Sequence, residues 1–384
     1  MKHWPALLFT LALVACASAP PIPKTTVFFN DHLFSQAAEP INVNDVFAVN
    51  QEMEDYLHSD IAQQLKLKGY QQGLFDALYN KHELKLEYDS VTTKNAAQTF
   101  KTKTGNCLSL AIMTAAFAKK IGISVEFQSV VVDDTWSRSG DLYINAGHVN
   151  IVLGRRYLDF RTSYMGEKSL TIDFLAPGEI GSQHTHHLNE ETILAMYMNN
   201  RAAELLVQGK LDDAYWAARE AIKQDASFIA PYNTLGVIYK KHGNFSEAQQ
   251  VLSFALLHSP ENTVVMSNLA QTFKDLGKLD EANLLVAKLQ KIQPYPPFHF
   301  FHLGQAAMQR EDYAGAKILF AKEVARDPNY HEFHFWLALA HFRLGELKQA
   351  NEQLTIAQEN STTQRDHDLY AAKLNRLRSH QTQQ

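Results

Sequence analysis

Three residues in the first half of the chain have the chemistry that a nucleophilic site needs: Cys107, His148 and Asp159. Cys107 follows Thr104-Gly105-Asn106 and leads Leu108-Ser109-Leu110-Ala111 into an apolar, alanine-rich run that stops at Gly122. A turn dipeptide followed by good helix formers places the thiol in the first turn of a buried helix. The free amides and dipole of a helix N-terminus favour negative charge, so a thiol there is expected to ionise more readily. The same amides, that of Cys107 included, suit the oxyanion formed when a thiolate attacks a carbonyl, and the chemistry implied is acyl transfer.

The other two residues read as neighbours on a hairpin. In Gly147-His148-Val149-Asn150-Ile151-Val152-Leu153, Val149, Ile151 and Leu153 are apolar; after Gly154-Arg155 the chain resumes as Arg156-Tyr157-Leu158-Asp159-Phe160-Arg161. If Gly154-Arg155 is a two-residue turn, Asn150 lies opposite Asp159 and His148 opposite Arg161. His148 and Asp159 then share a face as diagonal neighbours, about 7 to 8 Å apart at the backbone, while Val149, Ile151, Leu158 and Phe160 share the other. Singly, a Cys in an apolar helix is an ordinary core thiol and a strand His an ordinary packed residue. Their order, contexts and shared face single them out together. Ser124 to Val132, rich in β-branched and aromatic residues, is expected as a preceding strand, and Val46, Val49, Met53 and Leu57 as an opening amphipathic helix.

Gly105-Asn106-Cys107-Leu108-Ser109, Gly147-His148-Val149 and the later Asp159 resemble the transglutaminase-like cysteine superfamily, distantly akin to papain-type proteases, over residues 88–160. The resemblance implies an α+β domain in which the Cys helix packs on an antiparallel sheet. It also implies Cys107 as nucleophile, His148 as general base and later acid, and Asp159 as the residue orienting the imidazole. The chain departs from that pattern in having no Trp after Cys107 and Phe160 in place of a proline after Asp159. With water as acceptor such a site is a peptidase or amidase, and with an amine a transglutaminase. The competing reading is a non-catalytic scaffold whose first domain is a degenerate enzyme.

The second half is periodic. Ala202, Gly236, Ala270, Gly304 and Ala338 lie 34 residues apart, as do Ala214, Ala248, Ala282, Ala316 and Ala350, and Pro260, Pro294 and Pro328 close three units. Period and small-residue positions resemble the tetratricopeptide repeat, an all-α solenoid whose paired helices cross so closely that only Gly or Ala fits. Gly209, Gly243, Gly277 and Gly345 fall at the turn within a unit, where the fourth unit has Glu311, and Ala226 replaces the closing proline of the first. A helix near 363–379, with Leu369, Leu374 and Leu377, is expected to cap the stack. The resemblance implies a groove lined by the first helix of each unit, with Asn199, Asn233, Lys240, Lys241 and Lys274 early and Phe298, Phe301, Phe335 and Phe342 late, and a protein or peptide as its partner. The aromatic residues equally suit an inter-repeat core.

The N-terminus has Lys2, the apolar run Ala6 to Val14 and Leu13-Val14-Ala15-Cys16, which resembles a bacterial lipobox; Cys16 is then the lipidated residue. A conventional signal cleaved near Ala19 is the alternative. The lipobox, with Ala17 following, implies an outer-membrane anchor facing the periplasm, and leaves Cys107 without a disulfide partner in the chain. Pro20, Pro21 and Pro23 read as a tether. The expected organisation is a signal peptide over 1–15, a lipidated tether over 16–26, the Cys-His-Asp domain over 27–180, a linker over 181–194, five repeats over 195–364 (195–228, 229–262, 263–296, 297–330, 331–364), and a capping helix and tail over 365–384. With a net charge of -5 and no basic stripe, nucleic acid is not an expected partner. No cofactor is expected. His184, His186 and His187 lie in a Pro-Gly-Ser stretch without companion ligands at a familiar spacing, so no metal is expected there either.

Overall fold

The computed structural model describes residues 25–38, 40–79, 84, 86–88, 92–130, 136–139, 142–145, 147–156, 169–174, 185–361 and 363–381. Cys16, Asp159 and His184 lie outside them.

The first half holds α1 (Gln51–Asp55), which continues through a π-helical turn at Tyr56–Asp60, then α2 (Ala62–Lys68), α3 (Tyr70–Tyr79), α4 (Ala96–Thr102) and α5 (Cys107–Lys120). The opening helix starts later than Val46 and Val49 suggest, because the Asn50 side chain caps it by accepting from the Met53 amide at 3.0 Å. A short parallel pair joins β1 (Glu87–Tyr88) to β2 (Thr104–Gly105). The strands β3 (Ile123–Val130), β6 (His148–Arg156), β7 (Leu170–Ile172) and β8 (Thr185–Leu188) form an antiparallel sheet in the order β7-β6-β3-β8, and β4 (Trp136–Ser139) pairs with β5 (Leu142–Asn145). Helix α5 packs against β3 and β6. Its Ala111, Ile112, Met113, Ala115, Phe117 and Ala118 are wholly buried and form one core with Val149, Ile151 and Leu153 of β6.

The expected turn at Gly154-Arg155 is not there. Strand β6 runs through both residues to Arg156, which pairs with Ile123 beyond a shift in register that leaves one extra residue in β6. Gly154 instead packs closely on β3: a Cβ at that position would come within 2.2 Å of the Ser124 hydroxyl, which would have to rotate away. The partner on the far side of β6 is β7, with Ile151 opposite Ile172, so the register puts Asp173 opposite Asn150. His186 and His187 belong to the edge strand β8, paired with Ser129 and Gln128 and exposed, rather than to a linker.

The second half is a run of helix pairs: α6 (Glu190–Val207) with α7 (Leu211–Gln224), α8 (Ala230–His242) with α9 (Phe245–His258), α10 (Thr263–Asp275) with α11 (Leu279–Ile292), α12 (His299–Gln309) with α13 (Tyr313–Arg326), and α14 (His331–Arg343) with α15 (Leu347–Glu359). Helix α6 begins ahead of residue 195 because Asn189 accepts from the Thr192 amide at 2.7 Å and Glu190 and Glu191 stabilise its first turn. The final helix, α16 (Gln364–Gln381), covers the last pair. It does so with Tyr370 and Leu374, packed on Ala338, Leu354 and Ala357, while Leu369 faces out at 44% exposure.

Residues 27–38, expected within the first domain, pack on the repeats and do not join its core. Phe28 and Phe34 of the 25–38 segment insert among Tyr215, Tyr232, Tyr239 and Phe254 of the first two pairs, with Phe34 stacked on Tyr215 at 4.0 Å between ring centres. Polar contacts fix it there: the Tyr239 hydroxyl donates to the Phe28 carbonyl at 2.7 Å, and Arg219 and Tyr215 both donate to Asp31.

The turn glycines Gly209, Gly243, Gly277 and Gly345 all adopt positive φ, and Glu311 is held at φ 61° in the equivalent place. Gly304 sits where a Cβ would come within 2.5 Å of the Phe320 ring. Glu311→Gly, which relieves left-handed backbone strain, is expected to raise stability by about 1 kcal/mol, whereas Gly304→Ala is expected to lower it by about 1–3 kcal/mol through overpacking. Thermal unfolding of the two variants checks both signs.

Candidate thiol site and repeat groove

Each residue of Gly105-Asn106-Cys107-Leu108-Ser109 has a local task at the start of α5. A Cβ on Gly105 would come within 2.8 Å of the Ser109 side chain, so only glycine lets the chain turn this close to its own helix. Asn106 is the N-cap, and its Oδ1 accepts from the Ser109 amide at 2.9 Å and from the Ser109 hydroxyl at 2.8 Å. Ser109 accepts in turn from the Lys94 amide at 2.8 Å. Cys107 is the first helical residue, within the first turn where the sequence places it.

The thiol lies against β6, with Sγ 3.9 Å from the Gly147 carbonyl oxygen, to which it donates. Burial pushes the Cys107 pKa up, hydrogen bonds from the amides of Val149, Leu108 and Cys107 pull the other way, and the Asp173 charge adds to the rise. The expected lowering at the helix N-terminus is therefore overridden by desolvation: the resting group is a neutral thiol. Gln98 closes a capping box with Asn95 on α4, and Asn106 Nδ2 donates to the Thr93 hydroxyl at 2.9 Å.

His148 is buried, and its Nε2 lies 2.8 Å from Asp173 Oδ1 and 2.9 Å from Asn150 Oδ1. Asn150 Nδ2 donates to Asp173 Oδ2 at 3.1 Å. A carboxylate opposite Asn150 and diagonal to His148 is the geometry foreseen for Asp159; among the described residues Asp173 supplies it. Sequence reasoning missed Asp173 because the turn was placed at Gly154-Arg155. The available signal was the alternation Leu170-Thr171-Ile172-Asp173, a short strand with apolar residues on one face. Among the described residues no group of three or more His, Cys, Asp or Glu side chains is arranged to hold a metal ion, and no helix is long and apolar enough to cross a membrane.

The start of α5 is tied to the first repeat helix. The Thr93 amide donates to Glu204 Oε1 at 2.7 Å, and Asn200 Nδ2 donates to the same Thr93 hydroxyl that Asn106 reaches. Along the repeats, the first helices stand side by side: the Thr234 hydroxyl donates to Asn199 Oδ1 at 2.7 Å and Asn268 Nδ2 to Asn233 Oδ1 at 2.8 Å. Asn199 and Asn233 therefore bridge neighbouring repeats. Lys240 is half-buried, and burial lowers its pKa, while Lys241 and Lys274 are exposed. Phe298 and Phe301 do not line the groove. They are buried with Phe320 and Phe333 between the fourth and fifth pairs, and the half-buried Phe335 stacks on Tyr370 of the cap at 5.3 Å. Phe342 is 42% exposed.

The tetratricopeptide repeat family model matches residues 301–363. Among solved structures, the yeast Tom70 is 15% identical, with 49% of this chain and 40% of that chain covered at a TM-score of 0.36. YrrB, a TPR protein with an unusual peptide-binding site, is 20% identical over 48% of this chain and 94% of its own at a TM-score of 0.26. PilF of Pseudomonas aeruginosa is 17% identical over 50% and 97% at 0.29. The helix pairs from Glu190 to Glu359 recur with the 34-residue period of that repeat.

Glu204 generates a pH prediction. Burial raises its pKa, opposed by the hydrogen bond from Thr93 and by Arg201. A carboxyl raised on folding contributes stability that is full below its ordinary 4.5 and is lost as pH rises through the native value. On acidification from about pH 7.5 to about pH 5, the wild type is expected to gain melting temperature relative to Glu204→Gln, which keeps an acceptor for Thr93 but does not titrate. A difference that stays constant with pH contradicts this.

Proposed function

We propose that this protein is a polypeptide-binding scaffold of the bacterial cell envelope, anchored through a lipid on Cys16 and holding its partner along the first helices of its repeats. The observation that carries the reading is the repeat array itself, since a stack of helix pairs presents one long continuous face and no built-in chemistry. Lys274 and Phe342 occupy equivalent positions two periods apart and are both exposed, so the face offers cationic contacts early and apolar ones late. The anchor rests on Leu13-Val14-Ala15-Cys16. A photo-crosslinking residue at 274 or 342, introduced into the full chain in cells, is expected to capture polypeptide far more efficiently than one at Lys288 on α11. Equal capture at all three positions contradicts the assignment of the face.

A second reading is favoured by the 2.8 Å contact between His148 Nε2 and Asp173. In it the site performs acyl transfer on the bound polypeptide. The Cys107 proton passes to His148 as an S–C bond forms at an amide carbonyl, the C–N bond breaks with that proton delivered to the leaving amine, and water or a second amine resolves the thioester. The neutral resting thiol fits a proton transfer coupled to attack better than a standing ion pair. Under this reading, Cys107→Ala and Cys107→Ser chains that fold and localise normally fail to complement a deletion strain. Full complementation by either leaves the scaffold alone as the function.

A further inference from the structure

We propose that Asn150 is a positioning residue that holds His148 in a single tautomer, with the proton on Nε2 and the lone pair on Nδ1. The proposal rests on the second reading above only for its catalytic consequence; the tautomer itself stands on hydrogen-bond geometry.

The direction of every bond in the cluster is determined. Asp173 is a carboxylate and accepts only. Asn150 therefore turns its amide nitrogen toward Asp173 Oδ2, 3.1 Å away, since the reverse orientation would set two oxygens against each other. That choice aims Asn150 Oδ1 at His148 Nε2, 2.9 Å away, while Asp173 Oδ1 lies 2.8 Å from the same nitrogen. A ring nitrogen facing two acceptors carries the proton, so a neutral His148 has its lone pair on Nδ1.

Asn150 acts in two ways at once. It accepts from Nε2 directly, and through Nδ2 it orients the carboxylate so that Oδ1 faces the imidazole. His148 and Asn150 are two apart on β6 and so share a face, and the Ile151 to Ile172 register places Asp173 across from Asn150. Both His148 and Asn150 are 4% exposed, so water does not readily take over either role. An aspartate at 150 would lose the donor to Asp173 and add a second buried carboxylate; an aliphatic residue would remove both the acceptor for His148 Nε2 and the donor to Asp173 Oδ2.

The test uses the full chain labelled with 15N-histidine, with the His148 signals identified by their loss in His148→Gln. In the wild type the ring nitrogens are expected to report the Nε2–H form as the major one, with the Nδ1–H form as a measurable minor one. In Asn150→Leu, and in Asn150→Thr as a strand-compatible second variant, the ratio of Nε2–H to Nδ1–H forms is expected to fall about five- to tenfold, the effect of losing one net hydrogen bond. An unchanged ratio in either variant that retains the fold overturns the proposal, even if its melting temperature drops. The rate of Cys107 alkylation is measured beside it. If His148→Gln leaves that rate at the wild-type value, the pairing of Cys107 with His148 fails on its own, whatever the tautomer of His148.

Discussion

Helix α6 belongs to two cores. Its N-terminal turns put Ile193, Tyr197 and Met198 into the core built from α5, β3 and β6, and its later turns put Ala202 and Leu206 into the core of the first two repeats. A helix of this length spans both because its apolar residues face different partners along one rod. Each half takes part of its buried core from it. The polar bonds of Glu204 and Asn200 to Thr93 then carry the constraint to the N-cap of α5, and so to Cys107. The 25–38 segment adds a second tie, since its phenylalanines fill an aromatic pocket on the repeats just before the chain enters the first domain.

The site itself is built from opposed demands. A helix N-terminus offers amides to a developing negative charge, but the same packing that fixes α5 against the sheet removes water from the sulfur and keeps it protonated. The imidazole is likewise buried, and its outer nitrogen is satisfied twice over by Asn150 and Asp173. Such a hydrogen-bonded cluster is equally useful to a catalyst and to a structural core. The first repeat helix is joined to the N-cap of α5 through Thr93.

What was legible in the sequence was what is local or periodic. The 34-residue spacing foretold the helix pairs, and the positive φ of Gly243 and of Glu311 bears out the turn positions, because a tight turn and a close helix crossing each restrict one residue at a fixed place. Cys107 in the first turn of its helix followed from the turn dipeptide before it and the helix formers after it. The partner of His148 was not legible in the same way. Gly154 carries a turn signal by type, yet its lack of a Cβ serves contact with Ser124, a residue of another strand. Long-range register decided the matter, and pattern within one segment does not report it. Phe301 was misplaced for the same reason: an aromatic on a first helix fills either groove or core, and the neighbouring Phe320 and Phe333 decide which.

The central claim is that α6 makes the two halves one cooperative unit, and hydrogen exchange of the full chain carrying Ile193→Ala tests it most directly. Ile193 lies wholly in the first core, and its truncation is expected to cost about 2–5 kcal/mol. The account predicts that amides of α5 and of α7 and α8 lose protection together. Faster exchange in α5 with unchanged protection in α7 and α8 would contradict it, and would mean that the halves fold independently on a helix that merely passes between them.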